Sequence, residues 1–98
     1  MPTITKPNSQ DTGLSLEKEP LEILIRSKNK IYYKGTAYSI SSMNDNGPFD
    51  VLPAHTNFIT LIKDFIILDF DRDTRKDFKI DRGVLKISAN KVEGFIGI

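Results

Sequence analysis

"NGPFDVLPAHTNFITLI", residues 46–62, is a turn, a strand, a second turn and another strand in quick succession. Asn46 and Gly47 tolerate the positive φ of a tight turn, and Pro53 ends strand pairing because it has no N–H to donate. Phe58, Ile59, Thr60, Leu61 and Ile62 are all β-formers. The stretch therefore belongs to a β domain. Within it lies the chain's only histidine, His55, in a Pro-Ala-His corner.

Working outward, the same punctuation continues. "LEILIR" puts Leu21, Ile23 and Ile25 on one face, "KIYYKG" supplies β-formers before Gly35, and "TAYSIS" alternates before the "NDNG" turn. After "FDVL" come "NFITLI" and "FIILDF", the most apolar segments, which read as a tight hairpin around Lys63-Asp64 with central places in a sheet. "DFKI" leads through Asp81-Arg82-Gly83 to "VLKIS", and Ala89-Asn90 turns into "VEGFIGI". About nine short strands result, the pattern of an all-β antiparallel sandwich, and no segment has the length and period of a substantial helix.

At 98 residues there is room for one such domain. Residues 1–20 hold Pro2, Pro7, Gly13 and Pro20 among small polar side chains, too little apolar material to offset the entropy of ordering them. The expected division is a flexible tail over 1–20 and a β domain over 21–98. With Lys+Arg 14 against Asp+Glu 13, the chain has no general attraction to polyanions. It has no cysteine, hence neither disulfides nor thiolate metal sites. No apolar run is long enough to span a bilayer, and the start resembles no secretion or import segment.

Three stretches carry residues with a known chemistry. "FIILDFDRDT" is similar to the nucleophile strand of haloacid-dehalogenase-like phosphatases, with Asp69 or Asp71 attacking phosphorus beside Mg²⁺, but the alternating helices that reaction site needs are missing. A calcium loop starting at Asp69 lacks its glycine and its closing glutamate, since Thr74 and Ile80 stand there. Arg26, Lys28, Lys30 and Lys34 beside Tyr32 and Tyr33 form a cationic, aromatic strand of the kind that stacks on single-stranded nucleic acid, against a whole-chain charge of +1. His55 has no adjacent Cys, Asp or second His, so it enters neither a triad nor a metal site. Neither catalytic residues nor a cofactor or metal site are expected. The charged stretch 71–82 mixes both signs and reads as a solvated connection.

In order, these segments resemble the β-sandwich domain of the F-type ATP synthase epsilon subunit over residues 21–98. The likeness rests on "NGPFDVLPAHTNFITLI", on the opening "LEILIRSKNKIYYKGTAYSISS", and on Gly83, Leu85, Ile87, Asn90 and Val92 of the closing pattern. It implies a non-catalytic rotor subunit of the central stalk, joining the gamma subunit to the membrane c ring and coupling proton or sodium flow to ATP synthesis. By the same resemblance His55 and Thr60 face gamma, and the loop Asp45, Asn46, Gly47, Pro48 meets the ring. Gly35, Pro53 and Gly83 are expected at structural turns, and Ala54 replaces the family's usual glycine. The resemblance is to the sandwich alone, without the helical hairpin of many relatives. It further implies no nucleic-acid partner, membrane association only through the complex, and a place at the cytoplasmic face of a bacterial membrane. The alternative is a free-standing β-sandwich that binds a protein or a nucleic acid.

Overall fold

Alternation decides the first strand. In β1 (Leu21–Arg26) the side chains of Leu21, Ile23 and Ile25 are buried and those between them face outward. The structure, a computed structural model, describes residues 19–54 and 57–97. Among these are six further strands: β2 (Ile31–Ala37), β3 (Ile40–Asn44), β4 (Gly47–Val51), β5 (Phe58–Leu68), β6 (Lys76–Ser88) and β7 (Lys91–Ile96). Their hydrogen-bonded order is β2-β1-β7-β6-β5-β3-β4.

The all-β reading holds, with seven strands among the described residues in place of about nine. Three expected turns are strand interior, Gly35 in β2 and two more in β5 and β6. Lys63-Asp64 is a bulge within β5: the pairing passes from Lys63↔Arg82 to Phe65↔Lys79, leaving Asp64 on one strand and Ile80 and Asp81 on the other without partners. Asp64 has φ 73, the left-handed conformation that a single short polar residue tolerates. Asp81-Arg82-Gly83 likewise lies inside β6. The pairing is also mixed, because β1 runs parallel to β7 while all other neighbours are antiparallel.

The bulge folds this one ladder into two layers. The first half of β5 and the second half of β6 continue into β7, β1 and β2; the second half of β5 and the first half of β6 continue into β3 and β4. Side chains then meet across layers. Tyr33 of β2 packs edge-on against Phe78 of β6 with ring centroids 6.2 Å apart, although two strands separate them in the ladder. Phe49 of β4 meets Phe58 at 6.0 Å. Between the layers, Ile25, Ile40, Val51, Ile66, Leu68 and Leu85 are fully shielded from water or nearly so. The result is a sandwich whose two layers share their longest strands.

Two glycines change role. Gly35 sits within β2, paired with Ile23. Gly83 pairs with Ile96, and a Cβ there would collide with the Phe95 backbone carbonyl, so its purpose is close approach of β7, not a turn. Pro53 and Ala54 do lie in the turn after β4, where Ala54 takes φ 67.

"TAYSIS" breaks in the middle, and Asp69 explains why. β2 ends at Ala37 and β3 starts at Ile40, with the corner between them held by the Asp69 carboxylate. Its Oδ1 accepts from the backbone N–H of Tyr38 (2.6 Å) and Ser39 (3.3 Å), and its Oδ2 accepts from the Thr74 hydroxyl (2.7 Å). At 4% exposure the carboxylate is committed to two corners at once and presents no face to a phosphoryl substrate.

Candidate docking faces

The register of the five-strand layer sets its outer face. One cross-strand row reads Leu61, Val84, Phe95, Arg26 and Ile31, from β5 through β6, β7 and β1 to β2. The next reads Ile59, Lys86, Glu93, Leu24 and Lys34. In a strand that alternates, the outward members of a two-layer domain should be polar. Here Ile59 is 66% exposed and Leu61 69%, with Phe95 and Ile31 exposed beside them in the same rows. Beside the apolar residues lies an open groove of about 990 Å³ lined by Glu22, Leu24, Lys34, Lys86, Lys91 and Glu93 among others. An apolar strip at one end and balanced charges at the other are the chemistry of a protein contact.

The β3–β4 turn is a second projecting feature. Asn44 Oδ1 accepts from the Asn46 backbone N–H at 2.8 Å, an Asx turn that shapes the corner, and Gly47 adopts φ 117. Asp45, almost fully solvated, pairs with Lys63 at 3.5 Å; an ion pair so exposed is worth little energetically but sets the local charge. Pro48 pairs with Met43 on the edge strand β4, where a missing N–H blunts the open edge.

The third feature is the corner after β4. Its two flanks are tied to the β6–β7 turn: Asn90 Oδ1 accepts from the Ala54 N–H at 2.8 Å, and Asn57 Oδ1 accepts from the Ala89 N–H at 3.1 Å. Ala89 and Asn90 both have positive φ (51 and 64), the geometry of a tight primed hairpin turn. The Asn90 carbonyl also accepts from Glu22 N–H at the start of β1. His55 lies outside the described residues. Thr60, the other residue expected to face gamma, is half-buried on the inward side of β5, and its hydroxyl accepts from Asn44 Nδ2 at 3.3 Å. The structure thus brings Thr60 beside the β3–β4 turn.

No protein-family model matches the chain. The ATP synthase epsilon chain of Sulfurimonas denitrificans is 32% identical over 89 residues, covering 85% of this chain and 66% of that one. The chain belongs to the ATP synthase epsilon-chain family. Two solved structures share its fold. A chain of the Euglena gracilis mitochondrial ATP synthase matches 92% of this chain with TM-score 0.72 at 10% identity. A chain from the central stalk and c-ring of the Tetrahymena thermophila mitochondrial ATP synthase matches 84% with TM-score 0.67 at 15% identity. At such identities the likeness is one of fold. This chain spans 66% of the length of the Sulfurimonas epsilon chain and 59% of the matched chain from Euglena.

Within the epsilon-family fold, Leu85, Ile87 and Val92 of the closing pattern are core residues, Gly83 admits β7, and Asn90 braces three segments. The outward apolar row was absent from the sequence-based site residues. Its signal was present in "NFITLI", which is apolar at Ile59 and Leu61 as well as at Phe58 and Ile62, and so asks for cover on both faces. Among the described residues no cluster of His, Cys, Asp or Glu is arranged to hold a metal, and no helix is long and apolar enough to cross a membrane.

Proposed function

We propose that the chain is a non-catalytic central-stalk subunit of an F-type ATP synthase that links the gamma subunit to the c ring and so supports coupling of ion flow to ATP synthesis. Membership in the epsilon-chain family supplies the complex. The observation that carries the linking role is the outward row of Leu61, Val84, Phe95 and Ile31 with Ile59 beside it, since a sandwich that works alone has no use for an uncovered apolar row. Gamma occupies this face and reaches round the β5 edge to Thr60 and His55. The β3–β4 turn, residues 45–48, meets the polar ends of the ring subunits. Membrane association is through the complex, at the cytoplasmic face of a bacterial membrane, and nucleic acid has no part in it.

The test is co-purification of the tagged full chain from native membranes in mild detergent, with a salt wash before mass spectrometry. Gamma, alpha, beta and c subunits are expected to remain bound. Leu61→Lys, an outward change that leaves the fold's thermal transition in place, should release gamma, because burying Leu contributes about 2 kcal/mol and a buried unpaired ammonium opposes binding further. Retention of gamma by Leu61→Lys at wild-type level would remove this face from the reading. Recovery of nucleic acid that salt displaces would favour the free-standing binding module.

A further inference from the structure

The β3–β4 turn carries a chemical feature that docking does not use. Asn46 is followed by Gly47, whereas Asn8, Asn29, Asn44, Asn57 and Asn90 are followed by Ser, Lys, Asp, Phe and Lys. Asn46 is exposed, and among the described residues its side-chain amide has no hydrogen-bond partner. A Cβ built on Gly47 would meet nothing within 4 Å, so beyond its chain neighbours nothing crowds the Cα of the residue that follows Asn46. Gly47 begins an edge strand, held on one side only by β3. These are the conditions for attack of a backbone nitrogen on the preceding side chain.

We infer that Asn46 is a self-modification site, converting without any enzyme to aspartate and isoaspartate through a succinimide. The Gly47 nitrogen, after losing its proton to hydroxide, bonds to Asn46 Cγ. The Cγ–Nδ2 bond breaks and the side-chain nitrogen leaves as ammonia, taking up the proton. Water then adds to one of the two imide carbonyls. Opening on one side restores the main chain with an Asp at 46; opening on the other routes the main chain through the side-chain carbon as isoaspartate. Only water is consumed and only ammonia released, with no redox change.

The product alters this turn more than it would another surface site. Asp45 already pairs with Lys63 at 3.5 Å, so a second carboxylate arrives where the cation is already engaged, and the chain's formal charge falls from +1 to 0. The isoaspartyl form also lengthens the backbone between Asp45 and Gly47, against the Asn44↔Gly47 pairing that closes the hairpin. If the turn meets the c ring as proposed above, the charge it offers depends on the age of the molecule. That consequence rests on the functional reading; the chemistry does not.

The experiment is incubation of the purified full chain at mildly alkaline pH in heavy-oxygen water, followed by peptide mapping with fragmentation that separates aspartate from isoaspartate. The peptide holding Asn46 is expected to exchange ammonia for labelled water several-fold ahead of Asn29 and Asn44, at a rate rising with hydroxide, and to yield both isomers. Asn46→Gln, tolerated because residue 46 is not among those with positive φ, should keep the starting charge on native isoelectric focusing, and Asn46→Asp should run with the aged form. Equal labelling at Asn29 or Asn44, aspartate without isoaspartate, or an Asn46→Gln protein that acidifies as fast as wild type would each overturn the inference. None of these readings involves gamma or the ring, so failure of the stalk assignment would leave them unchanged.

Discussion

Replacing Asp69 by Ala tests the account of how this sandwich closes, and its cost can be worked from the contacts. Two backbone N–H groups, those of Tyr38 and Ser39, lose their acceptor. Ser39 is buried and Tyr38 half-buried, and an unpaired buried donor costs about 1–3 kcal/mol, so roughly 2–3 kcal/mol is lost for the pair. Asp69 has φ 52, where Ala is less at ease than Asp, which adds about 1 kcal/mol. The Thr74 hydroxyl can turn to water and adds little. The sum is about 3–4 kcal/mol, a large share of the ~5–15 kcal/mol typical of a domain, and at about 4–8 °C per kcal/mol the thermal midpoint falls by roughly 15–25 °C. Asp69→Asn keeps an acceptor at Oδ1 and a residue suited to φ 52, so it loses only the charge assistance, about 1 kcal/mol. Circular dichroism through thermal and urea transitions reads both variants. An Asp69→Ala protein within about 1 kcal/mol of wild type would refute the brace and leave the β2–β3 corner without its proposed support.

Further outcomes follow from the same geometry. Gly83→Ala should cost roughly 2–3 kcal/mol by driving β7 away from β6, whereas Gly94→Ala, whose Cβ would sit 3.6 Å from Leu85 and 3.7 Å from Ile66 in ordinary contact, should be neutral or gain up to about 1 kcal/mol; urea midpoints decide the pair. Ala54→Gly, at φ 67, should raise stability by about 0.5–1 kcal/mol in the same assay, with the Asn90 bond to residue 54 retained. The Arg75 guanidinium, hydrogen-bonded to Asp77 at 2.8 and 3.0 Å, holds the Asp77 carboxyl below the usual carboxylate range. Because that folded value is depressed, whatever the pair contributes is present above the unfolded carboxylate pKa and fades as acid takes pH down through the folded value. NMR titration should show Asp77 as a low-titrating carboxylate that returns to the ordinary range in Arg75→Gln, and with both groups in solvent the thermal midpoint should barely change.

Much of this architecture is legible along the chain because strands announce themselves by alternation and turns by Asn, Gly and Pro. β1, the "NDNG" turn and the Ala89-Asn90 turn fall where the residues indicate. The two misplaced hairpin turns share one cause. A bulge and a turn use the same residues, so Lys63-Asp64 and Asp81-Arg82-Gly83 look like chain reversals although the strands run through them. What separates the two cases is whether β5 pairs with itself or with β6, a long-range choice that local sequence does not encode. The parallel β1–β7 pair is hidden for the same reason. Asp69 was visible as a polar residue closing an apolar strand, but the partners that exhaust its carboxylate come from Tyr38, Ser39 and Thr74, one of them in the sequence beside it and two some thirty residues away. The outward apolar residues are readable in β5 alone; that Phe95 and Ile31 lie in line with Leu61 needs the register.

The sharing of β5 and β6 between the layers has a mechanical side. In a sandwich of two separate sheets, a sideways push on one sheet is resisted by side-chain packing alone, and the sheets can slide. Here two covalent chains pass from one layer into the other at the Asp64 bulge, and Ser42 pins the bulge by donating to the Phe65 carbonyl at 2.6 Å. Torque applied to the Leu61 face therefore reaches the β3–β4 hairpin through backbone and ladder hydrogen bonds, with no slip plane on the way. The stalk role proposed above, passing rotation from a shaft to a ring, would gain from such a single stiff body.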